Sequence, residues 1–299
     1  MALWLLVLEY EGSIWRPPSE ARSLILQATV GCSHNACTFC VSYKRKKYKV
    51  RGAQGILNDL SSLDQRVKDS VRRVFLADGN ALAMEVDELK EVLGVLHSEL
   101  RQLERVGTYA YAKDVRDKST DDLKALRTAG LGIVYLGLET GDDELLRWSR
   151  KGVTSNENVE ACLKIRSANI PLSLTIILGL GGLEQSERHA KRTAEVLNKI
   201  DPEYVGALTL MIPPGTPLYE MTERKEFEPM SPFEILDEMK TLVTHLELSE
   251  CIFRTNHASN YLPIGGTLNK DKDRIIQIIQ SVLETGNEKT LRPSYMRGL

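Results

Sequence analysis

Short apolar runs alternate with helical patterns along most of this chain. The strand candidates cover residues 24–30, 74–77, 107–112, 133–138, 172–178 and 204–212. Between them, apolar residues recur at helical spacing in segments such as 87–100, 121–129, 157–168 and 186–200. This alternation predicts a parallel sheet with right-handed crossovers. Because a full eight-unit barrel takes ~250 residues, the six units predict an α/β fold, a partial (β/α)6 TIM-like barrel with a C-terminal helical extension.

The same pattern divides the 299 residues into three expected segments. Residues 1–22 form an N-terminal strand and extension, 23–220 the barrel, and 221–299 the helical extension that closes it, with helices at 232–248 and 272–283. The apolar run Leu3–Leu8 is too short to span a bilayer, which needs ~20 residues, and is predicted to be a buried strand. The run also lacks the flanking pattern of a signal peptide, and no other stretch is predicted to span a membrane, which favours a soluble, cytoplasmic protein. With a net charge of −2, the chain has no global attraction to acidic membranes or nucleic acid.

Three of the five cysteines lie together directly after the first predicted strand. Cys32, Cys37 and Cys40 have the spacing C-x4-C-x2-C, and we call residues 32–40 the cysteine hook. An odd, clustered set is a poor disulfide framework and favours a metal site in a reducing compartment. Thiolates suit iron–sulfur clusters and zinc, and three leave one position open on a 4Fe–4S cluster. A structural zinc site that includes His34 is the alternative.

The two other cysteines, Cys162 and Cys251, are predicted to be core residues because each has apolar neighbours. Polar residues follow the predicted strands, where ligands bind in parallel α/β sheets. They include Asp78 after the second strand and Glu139 after the fourth. One edge of the sheet is therefore predicted to hold the cysteine hook together with charged side chains.

A three-cysteine hook after the first strand of a partial barrel resembles the radical S-adenosylmethionine (SAM) superfamily, whose usual hook is one residue shorter, C-x3-C-x2-C. The resemblance implies a 4Fe–4S cluster on Cys32, Cys37 and Cys40, whose fourth iron binds the amino and carboxylate groups of SAM. It also implies reductive cleavage of SAM to methionine and a 5′-deoxyadenosyl radical that takes hydrogen from a substrate. The chain would then be an oxidoreductase-like or lyase-like enzyme that acts on a small molecule.

The resemblance also assigns residues to the cofactor. Phe39, just before the last cysteine, would pack near the adenine. The turn Asp78-Gly79-Asn80 stands where the family has a Gly-Gly-Glu-like turn that receives the amino group of SAM. No residue is assigned a catalytic role beyond cofactor binding.

Further assignments fall on the fourth and fifth strands. Glu139 ends the fourth strand and would face SAM. Lys151 lies twelve positions later, where porphyrin-oxidase-like members bind the carboxylate of SAM. Thr175, four positions before Gly179, would face the ribose, and the glycine begins the turn that follows the strand.

Two polar segments outside these motifs allow more than one interpretation. The basic run Lys44–Arg51 is a solvated loop, a docking site for an acidic flavodoxin or ferredoxin reductant, or an RNA contact. The segment 257–261 either closes over the substrate or is a surface turn, and His189 is predicted to lie on a helix surface. The alternative functions are a radical SAM enzyme that modifies RNA, an iron–sulfur electron carrier, and a zinc-binding module.

Overall fold

The computed structural model describes residues 8–299, so all of the predicted strand Leu3–Leu8 except its last residue lies outside the described residues. The chain forms two compact units. Among the described residues, the first comprises 8–35, Ser42–Leu136 and Glu160–Leu172, and the second Ala36–Val41, Gly137–Val159 and Ser173–Leu299. None of the described helices combines the length and the apolar composition needed to cross a bilayer. The three predicted segments stay a prediction.

Parallel strands organise the first unit. Its strands are β1 (Leu24–Leu26), β2 (Thr29–Val30), β3 (Lys49–Val50), β4 (Arg73–Leu76), β5 (Arg105–Ala110) and the start of β6 (Leu131–Glu139). Four of them follow the order β1-β4-β5-β6 and pair in parallel. The first predicted strand is interrupted after Leu26, because β2 leaves this sheet and pairs antiparallel with β3.

Helices connect the strands of this unit. They are α1 (Gly52–Ser61), α2 (Gln65–Lys68), α3 (Val86–Glu99), α4 (Ala112–Arg116) and α5 (Thr120–Thr128). In α5, Ser119 is the N-cap, and it exchanges hydrogen bonds with Asp122 in a capping box. Residues 160–167, the larger part of a helix that begins in the second unit, also belong here.

Aromatic and aliphatic side chains fill one face of this first sheet. Ile25, Phe75 and Tyr135 belong to one buried cluster, and the Phe75 ring meets the Tyr109 ring edge-on, with 4.9 Å between centroids. These residues come from neighbouring strands and share a face, because side chains alternate along a strand. The face is therefore packed by large side chains in the first unit.

The second unit begins at the end of β6. Its helices are α6 (Asp143–Trp148), the start of α7 (Ser155–Ser167), α8 (Ser186–Ile200), α9 (Pro217–Glu223), α10 (Pro232–His245) and α11 (Lys272–Thr285). The rest of α7 belongs to the first unit, and residues 155–159 of that helix belong to this one. Its strands are β7 (Leu172–Leu178), β8 (Tyr204–Thr209), β9 (Ile252–Arg254) and β10 (Gly265–Thr267). The first three pair in parallel, and β10 is antiparallel to β9.

The α/β class and the mostly parallel strand arrangement are confirmed. The C-terminal segment differs from the prediction, since it adds β9 and β10 to its helices. Both strands have three residues, which is too short for an alternating pattern to appear in sequence. Cys162 and Cys251 are buried as predicted, and burial raises the pKa of the Cys251 thiol to about 12.

Candidate functional site

The turn after β4 holds the first cysteine of the hook. The Gly31 amide donates to Asp78 Oδ2 at 2.9 Å, and the Ser33 amide donates to Asn80 Oδ1 at 3.2 Å. The two residues that flank Cys32 are thus fixed by the two side chains that flank Gly79. Cys32 itself is partly exposed. The sequence predicted Asp78 and Asn80 at the cofactor, and the structure shows them bonded to the backbone of Gly31 and Ser33, on either side of Cys32.

Asp78 is fully buried and has a counter-ion. Lys46 Nζ lies 2.7 Å from Asp78 Oδ2 and donates to the Ser13 carbonyl at 2.6 Å. The carboxylate also accepts from Gln27 Nε2 at 3.2 Å. Lys46 belongs to the basic run, so this member of the run neutralises a buried carboxylate beside the hook.

Asn80 connects the same turn to α4. Its Nδ2 donates to Ser33 Oγ at 2.8 Å and to Asp114 Oδ2. Ser33 Oγ donates to the same Asp114 oxygen at 3.3 Å. Burial raises the pKa of Asp114, and its hydrogen bonds to Asn80 and Ser33 oppose that rise. Asp114 is a residue of the site that the motif comparison did not select, since no motif of the family falls on it.

Gly79 has no room for a side chain. A Cβ at this position would lie 2.2 Å from the Gly31 carbonyl oxygen and 2.4 Å from Cys32 Cα. Both atoms belong to the backbone, which cannot rotate away as a flexible side chain would. The close approach explains why glycine occupies the middle of the turn.

Gly79→Ala is expected to displace Cys32 and to lower the iron content of the reconstituted protein at least about twofold, because a backbone clash cannot be relieved locally. Iron and sulfide analysis measures the effect. Gly94→Ala is the matched control, because a Cβ there meets no atom of the described residues within 4 Å and alanine is favoured over glycine in a helix interior by about 1 kcal/mol. Equal iron content in the two variants would refute this role of Gly79.

The second half of the hook belongs to the second unit. Cys37 and Cys40 are half-buried and flank the segment that contains Thr38 and Phe39. The Thr38 amide donates to the Ser149 carbonyl at 2.9 Å, and the Thr38 carbonyl accepts from the Leu218 amide at 3.0 Å. The end of α6 and the start of α9 therefore fix this half of the hook through its backbone.

Glu139, at the end of β6, forms an ion pair with Lys151, which lies two residues after Ser149. Lys151 Nζ lies 2.8 Å from Glu139 Oε1, and both side chains are 10% exposed. Glu139 has a φ of +64°, an uncommon conformation for a residue other than glycine. The structure thus brings together the two residues that were predicted separately from strand four and from the position twelve residues later.

A buried polar network lies behind the end of β7. The Gly179 amide donates to Glu238 Oε1 at 2.7 Å, and the buried Glu238 Oε2 has no hydrogen-bond partner among residues 8–299. His189 lies between Thr140 Oγ1, 2.8 Å from its Nδ1, and the Ile177 carbonyl, 3.0 Å from its Nε2.

The prediction that His189 lies on a helix surface is wrong, since its ring is buried by this network. The His189 ring faces the sheet, because its two hydrogen-bond partners, Thr140 and Ile177, lie at the ends of β6 and β7. Glu238 contacts the predicted cofactor residue Gly179 and was not identified from sequence, because it lies 59 residues away on α10. Thr175 is on β7, opposite Gly206 of β8.

Residues 8–299 contain no group of three or more His, Cys, Asp or Glu side chains arranged to hold a metal ion. Ligation by the three cysteines therefore stays a prediction. The donor types fit an iron–sulfur cluster, since three thiols lie in nine residues. The backbone also fits, because the bare Gly79 backbone and the bonds to Gly31 and Ser33 fix the chain at Cys32.

A family comparison agrees with this donor set. The model of the Radical SAM superfamily matches residues 26–197, which is more than half of the chain. This protein belongs to the radical SAM superfamily. Members of the family use a 4Fe–4S cluster and SAM.

Similar curated proteins have different functions. The heme chaperone HemW of Bacillus subtilis is 23% identical over 206 residues, which cover 64% of this chain and 52% of the relative. A tRNA-2-methylthio-N(6)-dimethylallyladenosine synthase of Aquifex aeolicus is 27% identical over 222 residues, covering 71% of this chain and 49% of the relative. The chain thus spans about half the length of these two relatives.

Solved structures show the same fold. Coproporphyrinogen III oxidase (HemN) from Escherichia coli has a TM-score of 0.54 and 16% identity, over 74% of this chain and 52% of that one. The radical SAM methyltransferase TsrM from Kitasatospora setae has a TM-score of 0.55 and 19% identity, over 68% of this chain and 39% of that protein. At these identities the likeness concerns the fold.

Proposed function

We propose that this protein binds a 4Fe–4S cluster through Cys32, Cys37 and Cys40 and acts on a small molecule in the cytoplasm. When bound and reduced, the cluster supplies the electron that cleaves SAM to methionine and a 5′-deoxyadenosyl radical, which takes hydrogen from the substrate. The observation that carries the proposal is the fixation of Cys32 by the Asp78-Gly79-Asn80 turn. Such fixation supplies the positional precision that a metal site requires.

The chain's own residues would bind and orient SAM. Lys151 supplies a positive charge for the SAM carboxylate, and its pairing with Glu139 at 2.8 Å holds the ammonium group in place. The side chains of Asp78 and Asn80 already bond the Gly31 and Ser33 amides, so the Gly79 backbone is the part of that turn that would meet the SAM amino group.

Apolar contact and backbone geometry would complete the cofactor site. Phe39 is half-buried and would pack on the adenine, while Thr175 would contact the ribose. The Gly179 turn would stay fixed through the bond from its amide to Glu238. These groups place the cofactor, whose own chemistry carries the reaction.

Anaerobically reconstituted protein tests this function. Iron and sulfide are counted, the protein is reduced with dithionite, and 5′-deoxyadenosine is measured after addition of SAM, with electron paramagnetic resonance spectra before and after. A cluster signal perturbed by SAM and formation of 5′-deoxyadenosine support the proposal. A cluster indifferent to SAM would instead support an electron carrier, and bound zinc would support a zinc-binding module.

RNA modification is the second candidate function, and similarity to a tRNA-modifying synthase favours it. The basic run offers limited support, because four of its side chains already have partners. Lys44 donates to the Asn35 carbonyl. The other three form ion pairs: Lys46 with Asp78, Lys49 with Glu11, and Arg51 with Asp59. Turnover of unmodified tRNA by the reconstituted protein, with no turnover of small molecules, would favour this candidate.

A flavodoxin or ferredoxin is the proposed reductant, and Arg45 and Lys47 are the exposed members of the basic run without a partner of their own among the described residues. Reversing both charges to Glu is expected to slow reduction by flavodoxin about tenfold at low salt, since steering depends on local charge. Stopped-flow reduction at several ionic strengths measures this.

Arg22→Glu with Arg101→Glu is the matched control for that pair. Both arginines are exposed, and they precede β1 and β5 at the amino ends of the first sheet. The control changes the net charge equally at the opposite ends of the strands, so its reduction rate should stay close to that of the wild type. Equal slowing by both double variants would mean that the basic run is not the docking site.

A further inference from the structure

The segment His257–Tyr261 follows β9 and is fixed to the carboxyl end of β8. Asn260 Oδ1 accepts from Thr209 Oγ1 at 2.9 Å, and Asn260 Nδ2 donates to the Ala207 carbonyl at 2.8 Å. Both polar atoms of this buried amide are used, so the segment has a defined place. Leu210, which follows Thr209, donates its amide to the Leu178 carbonyl directly before Gly179 at 2.9 Å.

Two arginines from the C-terminal residues bind this segment through its carbonyl groups. Arg292 Nη1 donates to the carbonyls of His257 at 3.1 Å, Ala258 at 2.9 Å and Asn260 at 2.9 Å. Arg297 donates to the carbonyls of Ser259 at 2.6 Å and Leu210 at 3.0 Å. Its guanidinium also lies 4.1 Å from the centre of the Tyr261 ring.

These two guanidinium groups lack carboxylate partners. Across residues 8–299, no Asp or Glu lies within salt-bridge distance of either Arg292 or Arg297. Burial lowers the pKa of Arg297, and the charge of Arg292 adds to this effect. A half-buried cation without a carboxylate partner is costly unless another anion compensates it.

His257 adds a neutral donor to the same segment, since Arg292 bonds its carbonyl. Its Nδ1 accepts the Ser259 amide at 3.1 Å and lies 2.9 Å from Ser259 Oγ, so the ring proton is on Nε2. Burial lowers the pKa of His257, and the nearby Arg292 charge lowers it further. In the part of the chain that the structure describes, neither this Nε2 nor Nη2 and Nε of Arg292 has a hydrogen-bond partner.

We propose that His257 and Arg292 form a binding site for an oxyanion, a carboxylate or phosphate group of the substrate. The anion would accept the His257 Nε2–H and the remaining N–H groups of Arg292, and it would neutralise the uncompensated charge. Charge-assisted bonds of this kind are about twice as strong as neutral ones. The proposal rests on the proposed function for its substrate and narrows the substrate to an anionic small molecule.

Isothermal titration of the full-length reconstituted protein with inorganic phosphate, and separately with succinate, tests the site at low ionic strength. His257→Asn keeps an acceptor near Nδ1 and loses the distal N–H, whereas His257→Gln keeps a donor near Nε2. We expect about tenfold weaker binding for His257→Asn and for Arg292→Gln. His257→Gln and Arg292→Lys should stay within about threefold of the wild type.

Arg224→Gln is the control, since Arg224 is exposed and paired with Glu226. It removes one positive charge from the same unit, and binding should not change. If Arg292→Gln does not fold, the two His257 variants decide the result. Unchanged affinity for both anions in His257→Asn would overturn the site, and so would no binding by the wild type. The tighter-binding anion of the two identifies the group.

Formation of 5′-deoxyadenosine in the same samples separates this proposal from the proposed function. Wild-type protein that cleaves SAM but binds neither anion would overturn the oxyanion site alone. Anion binding that depends on His257 and Arg292, in protein that does not cleave SAM, would support the site and refute its role in a radical reaction.

Discussion

Cys37→Ala is expected to abolish formation of 5′-deoxyadenosine in the reconstituted, reduced protein. Two thiolates would remain of the three predicted ligands, and a 4Fe–4S cluster needs its thiolates to persist. The segment itself should keep its structure, because Thr38 is fixed through backbone bonds to Ser149 and Leu218 that do not involve the cysteine side chain. Iron and sulfide content, the paramagnetic signal with and without SAM, and product formation measure the loss.

The control for this variant is Cys162→Ala. Cys162 is fully buried, and burial raises the pKa of its thiol, so it is inert core rather than a ligand. Its replacement removes a sulfur atom from packing at a cost of about 1 kcal/mol and should leave iron content and product formation intact. Cleavage of SAM by Cys37→Ala, or equal loss in both variants, would contradict the assignment of Cys37.

The local pattern of apolar and polar residues was sufficient to predict several of the elements that carry the site. Helix α8 begins at Ser186 and ends at Ile200 as predicted, because its apolar residues recur on one face. Strand β7 also has its predicted bounds, Leu172–Leu178. The Asp78-Gly79-Asn80 turn was located correctly after a buried strand, since polar residues and glycine mark the end of an apolar run.

Partners distant in sequence were beyond such reasoning. Lys46 stands in a run of basic residues, where local charge favours a solvated or docking surface, yet its counter-ion is 32 residues away in the turn after β4. The partners of His189 and Glu238 are likewise set by tertiary packing. A helical pattern shows which side chains share a face and does not show which strand ends that face will meet.

Asp78→Asn is expected to lower the free energy of unfolding by about 3–5 kcal/mol, because it leaves Lys46 as a buried cation without its counter-ion. The side chains of Lys46 and Asp78 are 9% and 0% exposed. Asparagine keeps an acceptor for the Gly31 amide and tolerates the positive φ of +63° at this position, so the change isolates the charge. Urea denaturation of the full-length protein measures the effect.

Lys46→Met and the double variant complete a thermodynamic cycle. Lys46→Met leaves the buried carboxylate unpaired and should lower the free energy of unfolding by a similar amount. The double variant should lower it by less than the sum of the two single variants, since neither charge remains. Lys49→Met is the matched control from the same run, because Lys49 and its partner Glu11 are 54% and 49% exposed and such pairs contribute at most about 1 kcal/mol. Additive losses of unfolding free energy in the cycle would mean that Lys46 and Asp78 do not act as a pair. Lys46 would then be interpreted like Lys49, as a residue of the surface.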